Sequence, residues 1–182
     1  MRSRTIALLL GLLGSIAIGP AEATVFYSRS EALQLAFPSA ERIDSETYIL
    51  SDQEAQQIET LSKSPVDSKL VKIYTGFHGD AVIGHAIIDI HNVRTLPEAF
   101  IIVLTPSGAV RSLRVLAFHE PLEYLPPKRW YQQFGAKSLE EPLRLGRDVH
   151  GIAGSTLSAR ATTRGVRRAL ALYEVLLQNG KY

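Results

Sequence analysis

The chain has 182 residues, with 20 Lys and Arg against 18 Asp and Glu, and it contains no cysteine. A formal charge of +2 argues against a nucleic-acid partner. Without thiols there are no disulfides, no c-type haem attachment, no iron–sulfur ligation and no cysteine-ligated metal, so an electron-transfer role must rest on an organic cofactor.

The N-terminal residues read as a secretory signal peptide over 1–23. Arg2 and Arg4 precede the apolar run Ile6 to Ile18, and Ala21-Glu22-Ala23 supplies an A-x-A cleavage site before Thr24. The run is short for a bilayer span. Ser3 separates the two arginines, so there is no twin-arginine signal. The expected mature chain is a soluble periplasmic protein with length for one domain and its own core.

Ser28-x-x-Glu31 is a capping box for a short helix that Pro38 ends, and a strand is expected from Glu41 to Leu50. Ser51-x-x-Glu54 opens a second helix, to about Ser62. Four strand candidates follow: Lys69 to Phe77, Ala81 to His91, Ala99 to Thr105 and Ala109 to Phe118. Gly79-Asp80, Pro97 and Pro106-Ser107-Gly108 punctuate them as in antiparallel hairpins. A loop-rich stretch runs from Glu120 to Ile152, stiffened by Pro126-Pro127, with a helical piece around Tyr131 to Phe134. The last helix is expected from about Leu157 to Gln178, with Val166, Ala169, Leu170, Tyr173, Leu176 and Leu177 on one apolar face and Asn179-Gly180 as its stop. This order predicts an α+β fold, an antiparallel sheet packed with helices.

The stretch Ala153-Gly154-Ser155-Thr156-Leu157-Ser158 is a glycine turn with hydroxyl side chains that opens directly onto the last helix. A helix start offers unpaired amide donors and a partial positive charge, and both stabilise a phosphate. Two readings stand side by side: a phosphate site, or Ser155 or Thr156 simply capping the helix. The segment has neither the lysine of a phosphate-binding loop nor the outer glycines of a nucleophile elbow.

This stretch resembles the attachment motif of the FMN-binding domain family, whose pattern is close to D-x-x-[ST]-G-A-[ST]-x-[ST]. Gly154, Thr156 and Ser158 match it, whereas His150, Ala153 and Ser155 depart from it. A second anchor lies upstream, where Glu120-Pro121 matches part of the family's turn. Trp130-Tyr131-Gln132-Gln133-Phe134-Gly135-Ala136-Lys137 is similar to its aromatic stretch. The resemblance runs from about Val71 to Leu176. It implies one FMN-binding domain over 24–182, with 24–66 as an N-terminal extension and 67–178 as the core. It also implies FMN held through a phosphoester on Thr156, attached after secretion by a magnesium-dependent flavin transferase with FAD as donor. The implied role is electron carrier rather than enzyme, with membrane redox proteins or multihaem cytochromes as partners.

An isoalloxazine ring needs an apolar face and polar contacts at its edge. Tyr124, Trp130 and Phe134 are candidates for the first, Glu120 for the second, and His119 and His150 flank the two anchors. Trp130 has an alternative reading as a core anchor and Glu120 as a loop cap. The five histidines form no HExxH and no i, i+4 helical pair, so no metal site is expected. Arg160, Arg164, Arg167 and Arg168 form a basic face, read either as solvated or as favouring an anionic cofactor or acidic partner. The alternative function is a cofactor-free exported binding module of the same fold. A hydrolase built on Ser155 and a histidine ranks last.

Overall fold

The computed structural model describes residues 24–178. The expected signal peptide and the Asn179-Gly180 stop lie outside them. Six strands, β1 (Thr24–Val25), β2 (Arg42–Ile49), β3 (Leu70–His78), β4 (Ala81–Asn92), β5 (Pro97–Leu104) and β6 (Val110–Phe118), form one sheet in the order β1-β6-β5-β4-β3-β2. Every neighbouring pair is antiparallel. The strand candidates therefore appear within a residue or two of their expected bounds. The addition is β1, which pairs Thr24 with Phe118 and Val25 with Ala117. Both edge strands come from residues 24–66, so that segment shares one sheet with the rest.

Local chemistry accounts for the helix starts. Ser28 caps α1 (Arg29–Ala36) and Ser51 caps α2 (Asp52–Ser62), each with a complete capping box to Glu31 or Glu54. In each box the serine hydroxyl accepts from the glutamate amide while the carboxylate accepts from the serine amide, satisfying two donors reciprocally. Gly79, at φ +58°, makes the two-residue turn between β3 and β4. Gly108 is needed for two reasons: its φ is +83°, and a Cβ there would stand 2.2 Å from the Tyr173 ring.

The sheet buries both faces, and alternation along β5 sorts them. Phe100, Ile102 and Leu104 face α2 and α4 (Thr156–Tyr173), while Ile101 and Val103 pack with Phe37 and Leu116 on the α1 side. The expected face of α4, from Val166 to Leu177, is buried throughout. At Gly165 the helix comes so close to the sheet that a Cβ would meet the Phe100 ring at 2.4 Å and Asp89 Oδ2 at 2.7 Å. The helix starts one residue before the expected Leu157 and ends in a π-helical turn, Glu174–Gln178. The short helix α3 (Lys128–Tyr131) runs into a 3-10 turn, Gln132–Phe134, three residues earlier than expected.

Candidate functional site

The chain enters α4 through Gly154, whose φ of +83° suits glycine and whose surroundings are open. Ser155 stands in the capping place, but at φ −119° and ψ 29°. Ser28 and Ser51 hold ψ at 165° there. With its different backbone, the Ser155 side chain makes no capping bond, and its hydroxyl faces the Glu123 carbonyl at 3.5 Å. Three residues on, where α1 and α2 carry glutamate, α4 carries Ser158. That side chain is fully buried and donates to the Tyr124 carbonyl at 2.6 Å. The first turn of α4 is therefore left without any side-chain cap and without an acidic residue.

Thr156, the first helical residue, is exposed, and its hydroxyl makes one long contact, 3.4 Å to the Ile152 carbonyl. Gly154, Ser155, Thr156, Leu157 and Ser158 border a cavity of about 190 Å³, closed on the other side by Val93, Arg94, Glu120 and Tyr124. No family model and no curated protein matches the chain. The chemistry of the cavity has to be read from its own geometry.

Glu120 Oε1 accepts from the amides of Thr95 and Leu96 at 2.8 and 2.9 Å. These backbone bonds, with help from Arg94, hold its carboxyl below the usual range, so it is ionised at neutral pH. Its loop-cap reading and its cavity reading both apply: it clamps the turn after β4, and that turn contributes Arg94 to the cavity wall. Arg94 and Val93 had no sequence signal, because nothing local marks a turn residue that a distant carboxylate will fold inward.

Other expected residues stand elsewhere or have their side chains engaged. Trp130 is 7% exposed, donates its indole N–H to the His150 carbonyl at 2.7 Å, and packs edge-on to Tyr131 and Phe134. Its ring is a core anchor and not a stacking surface on the cavity, and the fully buried Phe134 is the same. Ser158 has spent its hydroxyl on Tyr124, so in this conformation it does not face an anion at the turn. His150 is exposed and is tied in only through its backbone, to Trp130 and to Gln133 Oε1. His119 is half-buried, with its amide on the Pro97 carbonyl, while Pro121 and Ala153 are exposed; none of the three lines the cavity. Ser155 is buried against Glu123 and hydrogen-bonds no histidine among the described residues, which leaves a serine hydrolase without its base.

A second polar centre lies under α4, facing the same side of the sheet. Arg168 makes a two-pronged pair with Asp89 at 2.8 and 2.9 Å. Asp89 Oδ2 is 2.7 Å from His91 Nδ1, and His91 Nε2 is 3.4 Å from Glu98 Oε2. Glu98 is completely buried, and neither of its oxygens has a well-formed hydrogen bond. Burial pushes the Glu98 carboxyl up, against the pull of His91. Burial opposes charge on His91, yet Asp89 and then Glu98 outweigh it and raise its pKa. Asp89 is also penalised by burial, but His91 and Arg168 hold it low. The centre thus pairs one arginine with one aspartate and sets His91 between Asp89 and Glu98, with the proton affinities of both His91 and Glu98 raised. His85, six residues before His91 and so on the same face of β4, is bonded to Thr75 Oγ1.

Proposed function

We propose that the protein is an exported flavoprotein that carries FMN through a phosphoester on Thr156 and passes electrons in a periplasmic or membrane-associated redox chain. One observation carries this reading. Among the described residues, the longest helix begins with an exposed threonine hydroxyl on a small cavity, its first turn without a side-chain cap, while α1 and α2 are closed by capping boxes. The likeness of Gly154, Thr156 and Ser158 to the FMN-binding domain motif gives that geometry its cofactor.

The residues present suit a phosphate. Uncapped amides and the positive end of the helix border the cavity, Arg94 offsets the ionised Glu120 on its far wall, and Gly154 lets the backbone turn close to the bound group. A cavity of about 190 Å³ is smaller than the roughly 300–1,000 Å³ that encloses whole organic ligands. It therefore suits the phosphate end, and the ring system extends beyond it. Bound FMN would supply reversible electron transfer. The chain's own part is to offer Thr156 Oγ as acceptor, hold the phosphate by the first turn, and keep Glu120 and Arg94 fixed at the wall. Attachment joins Thr156 Oγ to the FMN phosphorus of FAD, releasing AMP and the hydroxyl proton, in a magnesium-dependent transferase. Redox partners are membrane redox proteins or multihaem cytochromes.

Intact mass of the mature protein, isolated from its native periplasm or made with the transferase, tests the reading. The expected increment is one FMN less one water, and its absence sinks the proposal. A second reading, a colourless binding module of the same fold, is favoured by the engagement of Ser158 with Tyr124. It predicts no flavin absorbance even when the transferase is present.

A further inference from the structure

Beside the Thr156 cavity runs a larger groove of about 730 Å³, sharing with it Val93 and Leu157. Its walls are the C-terminal end of α2, the 142–145 loop and the outer face of α4. Lys63, Arg144, Arg160 and Arg164 line it, and no carboxylate does. All four are exposed, and none of their side chains has a hydrogen-bond or ion-pair partner among the described residues. Arg160 and Arg164 follow Thr156 at i+4 and i+8, so they lie on its helix face. Like charges at that spacing destabilise a helix, and the positive dipole end adds to the repulsion.

The floor is built rather than incidental. Arg167 is buried, and its guanidinium donates to the carbonyls of Ser62, Pro142 and Leu61 at 2.9, 2.6 and 2.6 Å. It ties α4 to α2 and to the loop through carbonyls, and the only carboxylate acting on it among the described residues, Asp148, does so without a direct bond. Lys63 and Leu143, both on the groove, hold φ at +56° and +45°, left-handed values that a side chain resists. Unpaired cations, a buried guanidinium bonded only to carbonyls and two strained residues thus converge on one concavity. Leu145, Leu157 and Val93 give it an apolar strip.

We infer that this groove binds a small organic anion bearing several anionic oxygens, phosphoryl or carboxylate, on a body with an apolar face. Lys63 and Arg144 take the anion from one side and Arg160 and Arg164 from the other, with the apolar face on Leu145 and Leu157. The inference does not depend on flavin attachment, because none of the four cations lines the Thr156 cavity.

Calorimetric titration of the mature protein with inorganic pyrophosphate and, separately, citrate tests it. Saturable one-to-one binding of pyrophosphate alone marks a phosphoryl ligand, of citrate alone a carboxylate ligand, and of both a site that reads anionic oxygens generally. The double variant Arg160→Gln, Arg164→Gln should weaken binding about tenfold or more, since each loses a charge-assisted contact. Arg144→Gln, on the facing loop, should weaken it too. Thr156→Ala should leave it unchanged within about twofold, a shift small on the affinity scale. No saturation with either anion overturns the inference, as does loss of binding in Thr156→Ala, which would put the anion at the helix start. Binding of a polyglutamate peptide when neither small anion binds also overturns it, and makes the groove a protein-docking surface.

Discussion

Among the described residues, the three longest helices all begin after a serine, yet only two are closed by it. At α1 and α2 the serine sits in extended backbone and a glutamate waits three residues on. At α4 the serine backbone has turned toward ψ 29°, and the residue three further on is a buried serine committed to Tyr124. The same residue type therefore closes a helix or leaves it open according to the preceding turn, here Gly154, and to the partner at the third position. What remains open at α4 is the part of the chain with an exposed threonine hydroxyl, a cavity and an arginine from another turn.

The strongest test of that contrast, and of the proposed flavin attachment, removes the Thr156 hydroxyl. Thr156→Ala should abolish covalent flavin altogether, with the FMN mass increment gone, while the fold stays intact by circular dichroism. A variant that still carries covalent flavin moves the acceptor to another hydroxyl, with Ser155 the next to examine. In the opposite direction, Ser51→Ala should leave flavinylation untouched, because that helix start is already satisfied from within.

The contrast also runs along α4 itself, between its open first turn and the closed polar centre beneath its later turns. Raised folded-state pKa values at Glu98 and His91 mean stabilisation that is whole below their unfolded values and lost as pH rises through the folded ones. For Glu98 the loss begins above its ordinary value of 4.5, for His91 above 6.5. Asp89, held low, acts oppositely and costs stability only as pH falls through its depressed value. Urea unfolding should therefore show a less stable protein at about pH 8 than at about pH 5. Glu98→Gln should flatten that slope and raise stability at the alkaline end. An unchanged slope would mean that the proton resides elsewhere.

How much of this was legible in the sequence depends on how local each determinant is. Capping boxes, glycine turns and strand alternation act over a few residues, and Ser28, Ser51, Gly79 and the β5 pattern were readable directly. The apolar face of α4 was readable because its period repeats along one element. Sheet order was not, because β1 closing against β6 depends on pairings made across most of the chain. At the start of α4, the glycine turn at Gly154 and the hydroxyl residues that follow it were readable directly. Arg94 was not, since it reaches the cavity through a carboxylate 26 positions later in the chain. Trp130 carried two readings until its indole was seen on the His150 carbonyl. Ser158, which matches the motif, donates to the Tyr124 carbonyl, a partner that no local rule couples to it.

Backbone conformation gives the next test. Gly154→Ala places a side chain at φ +83° in open space, so the cost is conformational and not steric, about 1–2 kcal/mol. Denaturant titration should register that loss, together with slower flavin attachment as the turn relaxes away from the left-handed region. Gly151→Ala, also in open space but without the positive φ, should cost much less. Equal losses at the two positions would detach the open helix start from the turn that precedes it.

The smallest expected effect bears most directly on why one serine caps and another does not. Ser51→Ala removes an acceptor from an α2 amide and breaks a capping box, which costs about 1 kcal/mol. Ser155→Ala removes only a long contact at 3.5 Å to the Glu123 carbonyl, so the loss should be a few tenths of a kcal/mol at most, far below a cap's usual ~1 kcal/mol. The pair of midpoints, measured in one denaturant series with unchanged slopes, isolates capping from packing. If the two substitutions cost the same, Ser155 closes α4 in solution after all, its amides are not free for a phosphate, and the helix start loses what sets it apart.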